Sequence, residues 1–259
     1  MLVQTRGFPL HVQVDGPAAA PVLMLSNSLC TDLRMWDDQI PVWSERCRVV
    51  RYDRRGHGQS GVPAGPYTVD DFGRDALSIM DALGIERVNW CGLSMGGMVG
   101  QWLGAHAPDR INALIMSNTH SYYADKTVWD ERMALAQKAG MAQAAKGAMN
   151  RWFTPEAMAQ RPDKVSLIQR MFANTDLGGY LACCAAIRNM DMRPTHPRIT
   201  APTLVIVGLR DPATPPAAGE AVQKAIKGAQ LATIDASHLS NIGQPEVYAN
   251  LVLDFLKAS

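Results

Sequence analysis

The sequence has no run of lysine or arginine, no apolar stretch long enough to cross a membrane and no paired-cysteine motif. Its 25 Lys+Arg are matched by 24 Asp+Glu, a formal net charge of +1, so no field exists to hold a phosphate backbone or an anionic lipid surface. Nucleic acid and membranes are therefore not expected as partners. The longest apolar runs, such as Ile111 to Met116, are strand-sized, against the ~18 residues that a span requires. The N-terminal segment MLVQTRGFPLHVQVDG alternates apolar and polar residues and lacks the apolar block of a signal peptide. A cytoplasmic protein is therefore expected. Five cysteines, Cys30, Cys47, Cys91, Cys183 and Cys184, are odd in number, include an adjacent pair and show no zinc spacing. They read as reduced thiols packed as small apolar side chains, and neither a metal nor a cofactor is expected. A P-loop with its lysine is also missing.

What is present is an ordinary globular composition of 259 residues, 47% hydrophobic and 19% charged, with no internal repeat or linker. Strand signals occur at Leu2–Arg6, Leu10–Val14, Val22–Leu25, Arg48–Tyr52, Val88–Cys91, Ala113–Ser117, Thr203–Val207 and Gln230–Ile234. Helix-period segments lie between them, as in Val69–Leu83, where Phe72, Ala76, Ile79, Met80 and Leu83 recur at three- and four-residue steps. Such alternation predicts an α/β fold, a mostly parallel eight-stranded sheet flanked by helices. Residues 121–195 break the pattern. They are rich in Ala, Met, Gln, Lys and Arg and contain helix starts such as Thr154-Pro155-Glu156. The expected organisation is a core of residues 1–120 and 196–259, with 121–195 as a helical cap inserted before the last strands, over the sheet's carboxyl end where ligands bind.

The strand ending at Cys91 runs into Gly92-Leu93-Ser94-Met95-Gly96-Gly97 and then an amphipathic stretch to His106. A G-x-S-x-G between strand and helix is the setting of a nucleophile elbow, with Ser94 as nucleophile. A serine hydroxyl needs a base for its proton and an acid to orient that base. Asp211 follows the strand Thr203–Val207, and His238 follows the strand Gln230–Ile234. The order Ser, Asp, His is that of the α/β-hydrolases. Asp235 is a rival acid, disfavoured because it lies only three residues from His238 on one loop. Oxyanion donors are expected from the Met95 amide and, in the loop after the third strand, from the Leu29 amide.

Among the other histidines, His11, His106 and His196 read as surface or capping residues, and His57, in a glycine-rich turn, as structural. His120 lies just past a strand end, from where it could face the site.

The chain resembles the 3-oxoadipate enol-lactonases of the α/β-hydrolase superfamily over nearly its whole length. The likeness is carried by Leu25-Ser26-Asn27-Ser28-Leu29, Thr31-Asp32-Leu33, Met35-Trp36, Arg51-Tyr52-Asp53, Arg55-Gly56-His57-Gly58 and the elbow. It continues in Arg151-Trp152-Phe153, Gly179-Tyr180, Cys183 to Arg188, and Ala236-Ser237-His238-Leu239-Ser240-Asn241. Two departures stand out. Cys30 occupies a position usually held by Gly, and His120-Ser121-Tyr122-Tyr123-Ala124 replaces small residues on a stretch expected to face the substrate. The resemblance implies hydrolysis of a small five-membered enol-lactone with an acetate side chain, in bacterial breakdown of aromatic acids. A carboxylate on that substrate calls for a cation. Arg132, three residues after Trp129 and so on the same helix face, is the candidate, with Arg151 and Arg188 as alternatives. Trp129, Arg132, Trp152 and His120 form the expected substrate-binding set. Two other readings stand beside this one: an esterase, lactonase or cofactor-free perhydrolase with another small substrate, and a hydrolase-fold receptor without turnover, against which the complete triad argues.

Overall fold

The computed structural model describes residues 1–5 and 7–258; Arg6, the end of the first expected strand, lies outside them. Eight strands form one sheet, β1 (Leu2–Gln4), β2 (Pro9–Asp15), β3 (Val22–Ser26), β4 (Arg48–Tyr52), β5 (Val88–Leu93), β6 (Ile111–Ser117), β7 (Thr203–Gly208) and β8 (Gln230–Ile234). β1 and β2 pair antiparallel, and β2 pairs antiparallel with β4; all later pairs are parallel. The central strands are buried on both faces, β7 along its whole length, which is why they read as continuous apolar runs rather than alternating ones.

The covering helices are α1 (Ile40–Trp43), α2 (Val69–Ala82), α3 (Met95–His106), α4 (Thr127–Ala139), α5 (Met141–Trp152), α6 (Pro155–Gln160), α7 (Pro162–Ala173), α8 (Leu177–Asn189), α9 (Pro216–Ala225), α10 (Ser240–Gly243) and α11 (Pro245–Ala258). α2 begins at a reciprocal cap, in which Asp71 N–H donates to Thr68 Oγ1 (3.2 Å) and Thr68 N–H to Asp71 Oδ2 (2.8 Å). It buries the periodic residues Phe72, Ala76, Ile79 and Met80. α4 to α8 all fall between β6 and β7. No described helix is long and apolar enough to cross a membrane.

The strand order β1-β2-β4-β3-β5-β6-β7-β8 reverses direction between β3 and β5. A crevice opens outside the carboxyl ends of strands at such a switch point. The loops leaving β3 and β5 are those holding Leu29 and Ser94. The first of them is braced from the far end of the chain: Asn241 Nδ2 donates to the Met35 carbonyl (2.8 Å), Gln39 Nε2 to the Asn241 carbonyl (2.7 Å), and Trp43 Nε1 to the Ala249 carbonyl (3.3 Å).

Candidate active site

β5 passes into α3 through Ser94, whose φ of 57° and ψ of −114° are unusual for an L residue. The turn closes because Gly92 and Gly96 lack side chains: a Cβ on Gly92 would overlap the Gly96 carbonyl, and one on Gly96 would overlap the Ser26 carbonyl. Ser94 N–H donates to the Ser117 carbonyl (2.8 Å), and Thr119 Oγ1 donates to the Ser94 carbonyl (2.7 Å). The hydroxyl is thereby presented at the first turn of α3, where free N–H groups and the helix dipole favour negative charge.

His238 Nδ1 lies 2.8 Å from Asp211 Oδ2, which leaves Nε2 for a serine proton. Asp211 is held on both oxygens. Oδ1 accepts from the amides of Ala213 (2.8 Å) and Thr214 (3.0 Å); Oδ2 also accepts from Asn118 Nδ2 (2.9 Å) and Thr214 Oγ1 (2.5 Å). Burial alone would raise its pKa, but the charge and hydrogen bond of His238 and the bonds from Thr214 outweigh it and hold the carboxyl below its ordinary value. Asp235 is turned outward to Arg210, 2.8 Å away. The flanks of His238 are tied to the end of α5, with Ser237 Oγ donating to the Arg151 carbonyl (2.8 Å) and Leu239 N–H to the Trp152 carbonyl (3.1 Å). The Trp152 ring consequently sits 6.1 Å from the imidazole.

The loop after β3 is clamped from behind. Asn27 Nδ2 donates to the Tyr52 carbonyl (2.8 Å), Trp36 Nε1 to Asn27 Oδ1 (2.9 Å), and Arg54 Nη2 to the Asn27 carbonyl (2.7 Å). Cys30, with φ of 59°, adopts the left-handed backbone that favours glycine; its N–H donates to His57 Nε2 (2.9 Å). Accepting on Nε2 requires the His57 proton on Nδ1, 3.3 Å from the Arg55 carbonyl. Burial, and then the Arg54 charge, lower the His57 pKa to about 3, so this histidine is a neutral strut. The glycine-rich turn around it carries the spacing G-x-G-x-x-G from Gly56 to Gly61, yet no helix begins there; α2 starts only at Val69. The turn supports the loop rather than cradling a phosphate.

One pocket is lined by Leu29, Ser94 and His238 from the sheet side and by Trp129, Arg132 and Trp152 from the inserted helices. Arg132 stacks on Trp129, 4.6 Å from the ring centre. No carboxylate pairs with it among the described residues. Trp129 Nε1 is buried without a hydrogen-bond partner. Arg188 is on the surface in an ion pair with Asp130 at 2.6 Å, and Arg151 Nη1 donates to the Gly147 carbonyl (2.7 Å). Burial, and then the nearby charge of Arg132, lower the Arg151 pKa, so two guanidinium groups stand within electrostatic reach of each other. His120 does not line the pocket; its ring packs 4.6 Å from that of Tyr123, which does. Met95 follows Ser94 directly and is 1% exposed. Among the described residues there is no cluster of three side chains able to hold a metal ion.

His196 is not a surface residue: it is buried, with Nε2 2.8 Å from Gln101 Oε1. His11 Nδ1 lies 2.9 Å from Asp53 Oδ2, and His106 Nδ1 lies 3.0 Å from the Trp102 carbonyl. Sequence reasoning missed Asn118 and Thr214, whereas Tyr123 belongs to the stretch expected to face the substrate and does line the pocket. Only the position of Asn118 just after a strand offered a signal.

A family model for the alpha/beta hydrolase fold matches residues 21–245. "3-oxoadipate enol-lactonase 2" of Acinetobacter baylyi is 39% identical over 248 residues, 96% of this chain and 93% of that protein. "3-oxoadipate enol-lactonase 1" of the same organism is 36% identical over 258 residues, covering 100% and 97%. The crystal structure of the enol-lactonase from Burkholderia xenovorans LB400 superposes with a TM-score of 0.97 at 42% identity, over 99% of this chain and 100% of that one.

Proposed function

The chain belongs to the 3-oxoadipate enol-lactonases of the α/β-hydrolase fold, carboxylic ester hydrolases that open a lactone, and from that premise we propose that its own substrate is 3-oxoadipate enol-lactone, attacked by Ser94. Ser94 Oγ adds to the ring carbonyl while His238 Nε2 takes its proton, and Asp211 stabilises the imidazolium. The Leu29 and Met95 amides receive the oxyanion. Collapse breaks the bond to the ring oxygen, which leaves as an enolate, takes the proton from His238 and ketonises. Water, deprotonated by His238, then attacks the acyl-serine and releases the acid.

The observation that carries the choice of substrate is the Arg132 guanidinium, unpaired by any described carboxylate and facing the pocket of Ser94 and His238. A cation without a counter-ion beside a nucleophile suits an anionic substrate, whose carboxylate supplies the missing charge. Trp129 Nε1 offers a second donor beside it. We read residues 121–195 as a cap that carries this recognition, with Trp152 as the wall over His238 and His120 as a support for Tyr123. Small-molecule hydrolysis in the cytoplasm, without metal or cofactor, completes the reading.

The test is turnover of purified protein on the enol-lactone, followed by loss of its conjugated absorbance, beside p-nitrophenyl acetate. Preference for the lactone in kcat/KM by at least about tenfold, about 1.4 kcal/mol, supports the assignment. Preference for the neutral ester overturns it and favours an esterase of the same mechanism, for which Tyr123 in the pocket supplies an apolar surface.

A further inference from the structure

The residue that precedes Leu29 is locked at every backbone atom that can bond. The Ser28 N–H donates to Met35 Sδ (3.3 Å), and its carbonyl accepts from Thr31 Oγ1 (2.9 Å) and from Arg54 Nη1 (3.4 Å). Its hydroxyl is the exception: Ser28 Oγ is fully buried and has no hydrogen-bond partner. A buried hydroxyl left unpaired is unfavourable and rare in a folded protein, and here it belongs to a residue that lines the pocket of Ser94 and His238.

Strand register says which end of that pocket it serves. β3 and β5 are adjacent and parallel, with Ser26 opposite Gly92. Ser28 and Ser94 each lie two residues beyond this pair, at the same carboxyl edge of neighbouring strands. Arg132 and Trp129 come instead from α4, on the inserted segment. We propose that the Ser28 hydroxyl is a catalytic group of this site, donating a hydrogen bond to the carbonyl oxygen of the ester group under attack. This rests on Ser94 being the nucleophile, and it adds a side-chain donor to the two backbone amides. As Ser94 Oγ bonds to the carbonyl carbon, charge moves to the carbonyl oxygen, and a rigidly held O–H gains strength as that charge grows. The hydroxyl keeps its own proton throughout.

The experiment is Ser28→Ala, assayed on the enol-lactone, on p-nitrophenyl acetate, and for the rate at which a p-nitrophenyl phosphonate labels Ser94. Loss of one unpaired oxygen removes no hydrogen bond within the protein, so Tm stays level or rises. The expected result is a fall in kcat of at least about tenfold on both substrates with KM within about twofold, and labelling slowed by a similar factor. Activity and labelling within twofold of wild type would overturn the proposal. So would a loss confined to KM for the anionic lactone, which moves the hydroxyl to the carboxylate end, or a drop in Tm that accounts for the lost activity. If the wild-type protein hydrolyses the ester and not the lactone, the substrate assignment fails while Ser28 is still decided by ester turnover and by labelling.

Discussion

The two walls of the pocket are built on opposite rules. On the sheet side the proposed reacting groups, the Ser28 hydroxyl apart, are over-determined: the Asp211 carboxylate accepts from Ala213, Thr214, Asn118 and His238, and the loop after β3 is clamped by Tyr52, Trp36, Arg54 and His57. On the helical side the polar groups lack partners: Arg132 touches the face of Trp129, whose indole N–H is buried and unbonded. A group that the protein satisfies is fixed before any substrate arrives, and such preorganisation is what transition-state stabilisation requires. A group left unsatisfied is completed by a ligand. The contrast therefore separates bond-breaking from recognition, and each half can be attacked on its own.

The heaviest blow falls on the sheet side. Ser94→Ala should leave a folded protein with kcat lower by roughly four to six orders of magnitude on every ester tested, because the triad works as a unit. Retention of a tenth of the wild-type rate would refute a serine mechanism. Asp211→Asn should cost about 10⁴-fold in kcat with KM little changed, since the amide mis-sets the His238 tautomer; steady-state kinetics on the lactone and on p-nitrophenyl acetate should show equal losses. Arg132→Ala breaks the symmetry. It should lower kcat/KM for the anionic lactone by about 10- to 100-fold, the ~1.5–3 kcal/mol of a charged hydrogen bond, and barely alter the neutral ester. Equal losses on both substrates would make Arg132 a prop of the helices.

Smaller still is the effect of the neutral strut. His57 has a folded pKa of about 3 against an ordinary ~6.5. Between those values the unfolded chain binds a proton that the folded one refuses, so stability falls as pH drops from about 6.5 toward 3, by up to ~1.4 kcal/mol per pH unit. Urea unfolding at pH 7 and pH 5 should show this slope, and His57→Gln should flatten it. At the bottom of the scale, Arg188→Ala removes an exposed ion pair with Asp130. It should change neither substrate by more than about twofold.

The sheet was legible in the sequence because its strands are short and bounded by turn residues: Arg48–Tyr52, inside the sheet, and Gln230–Ile234, at its edge, match β4 and β8 end to end. The elbow was legible because its constraint is local, two glycines within five residues around one serine. Thr214 and Asn118 were not, since their meaning lies in contacts to Asp211, three and 93 residues away in the chain, and no spacing rule announces a buried donor. His196 misled for a similar reason. Between prolines it looks exposed, but its place is set by Gln101 on α3. His120 did fall just past β6, as expected, yet a strand end fixes where a residue sits and not which way its ring turns; the ring of Tyr123 stands beside the pocket instead.

The brace between the two ends of the chain sets an order of events in synthesis. Met35 and Gln39 are fastened to Asn241, and Trp43 to Ala249, across more than 200 residues. A nascent chain that has emerged only through β6 already holds Ser94, but it lacks Asp211, His238 and the brace that Asn241 and Ala249 supply to the segment after Leu29. Contacts this distant are slow to close, because a long loop must be ordered before they return any stability. A growing chain therefore holds the elbow serine before it holds a complete site, and α10 and α11, which carry Asn241 and Ala249, lock the first loop of that site.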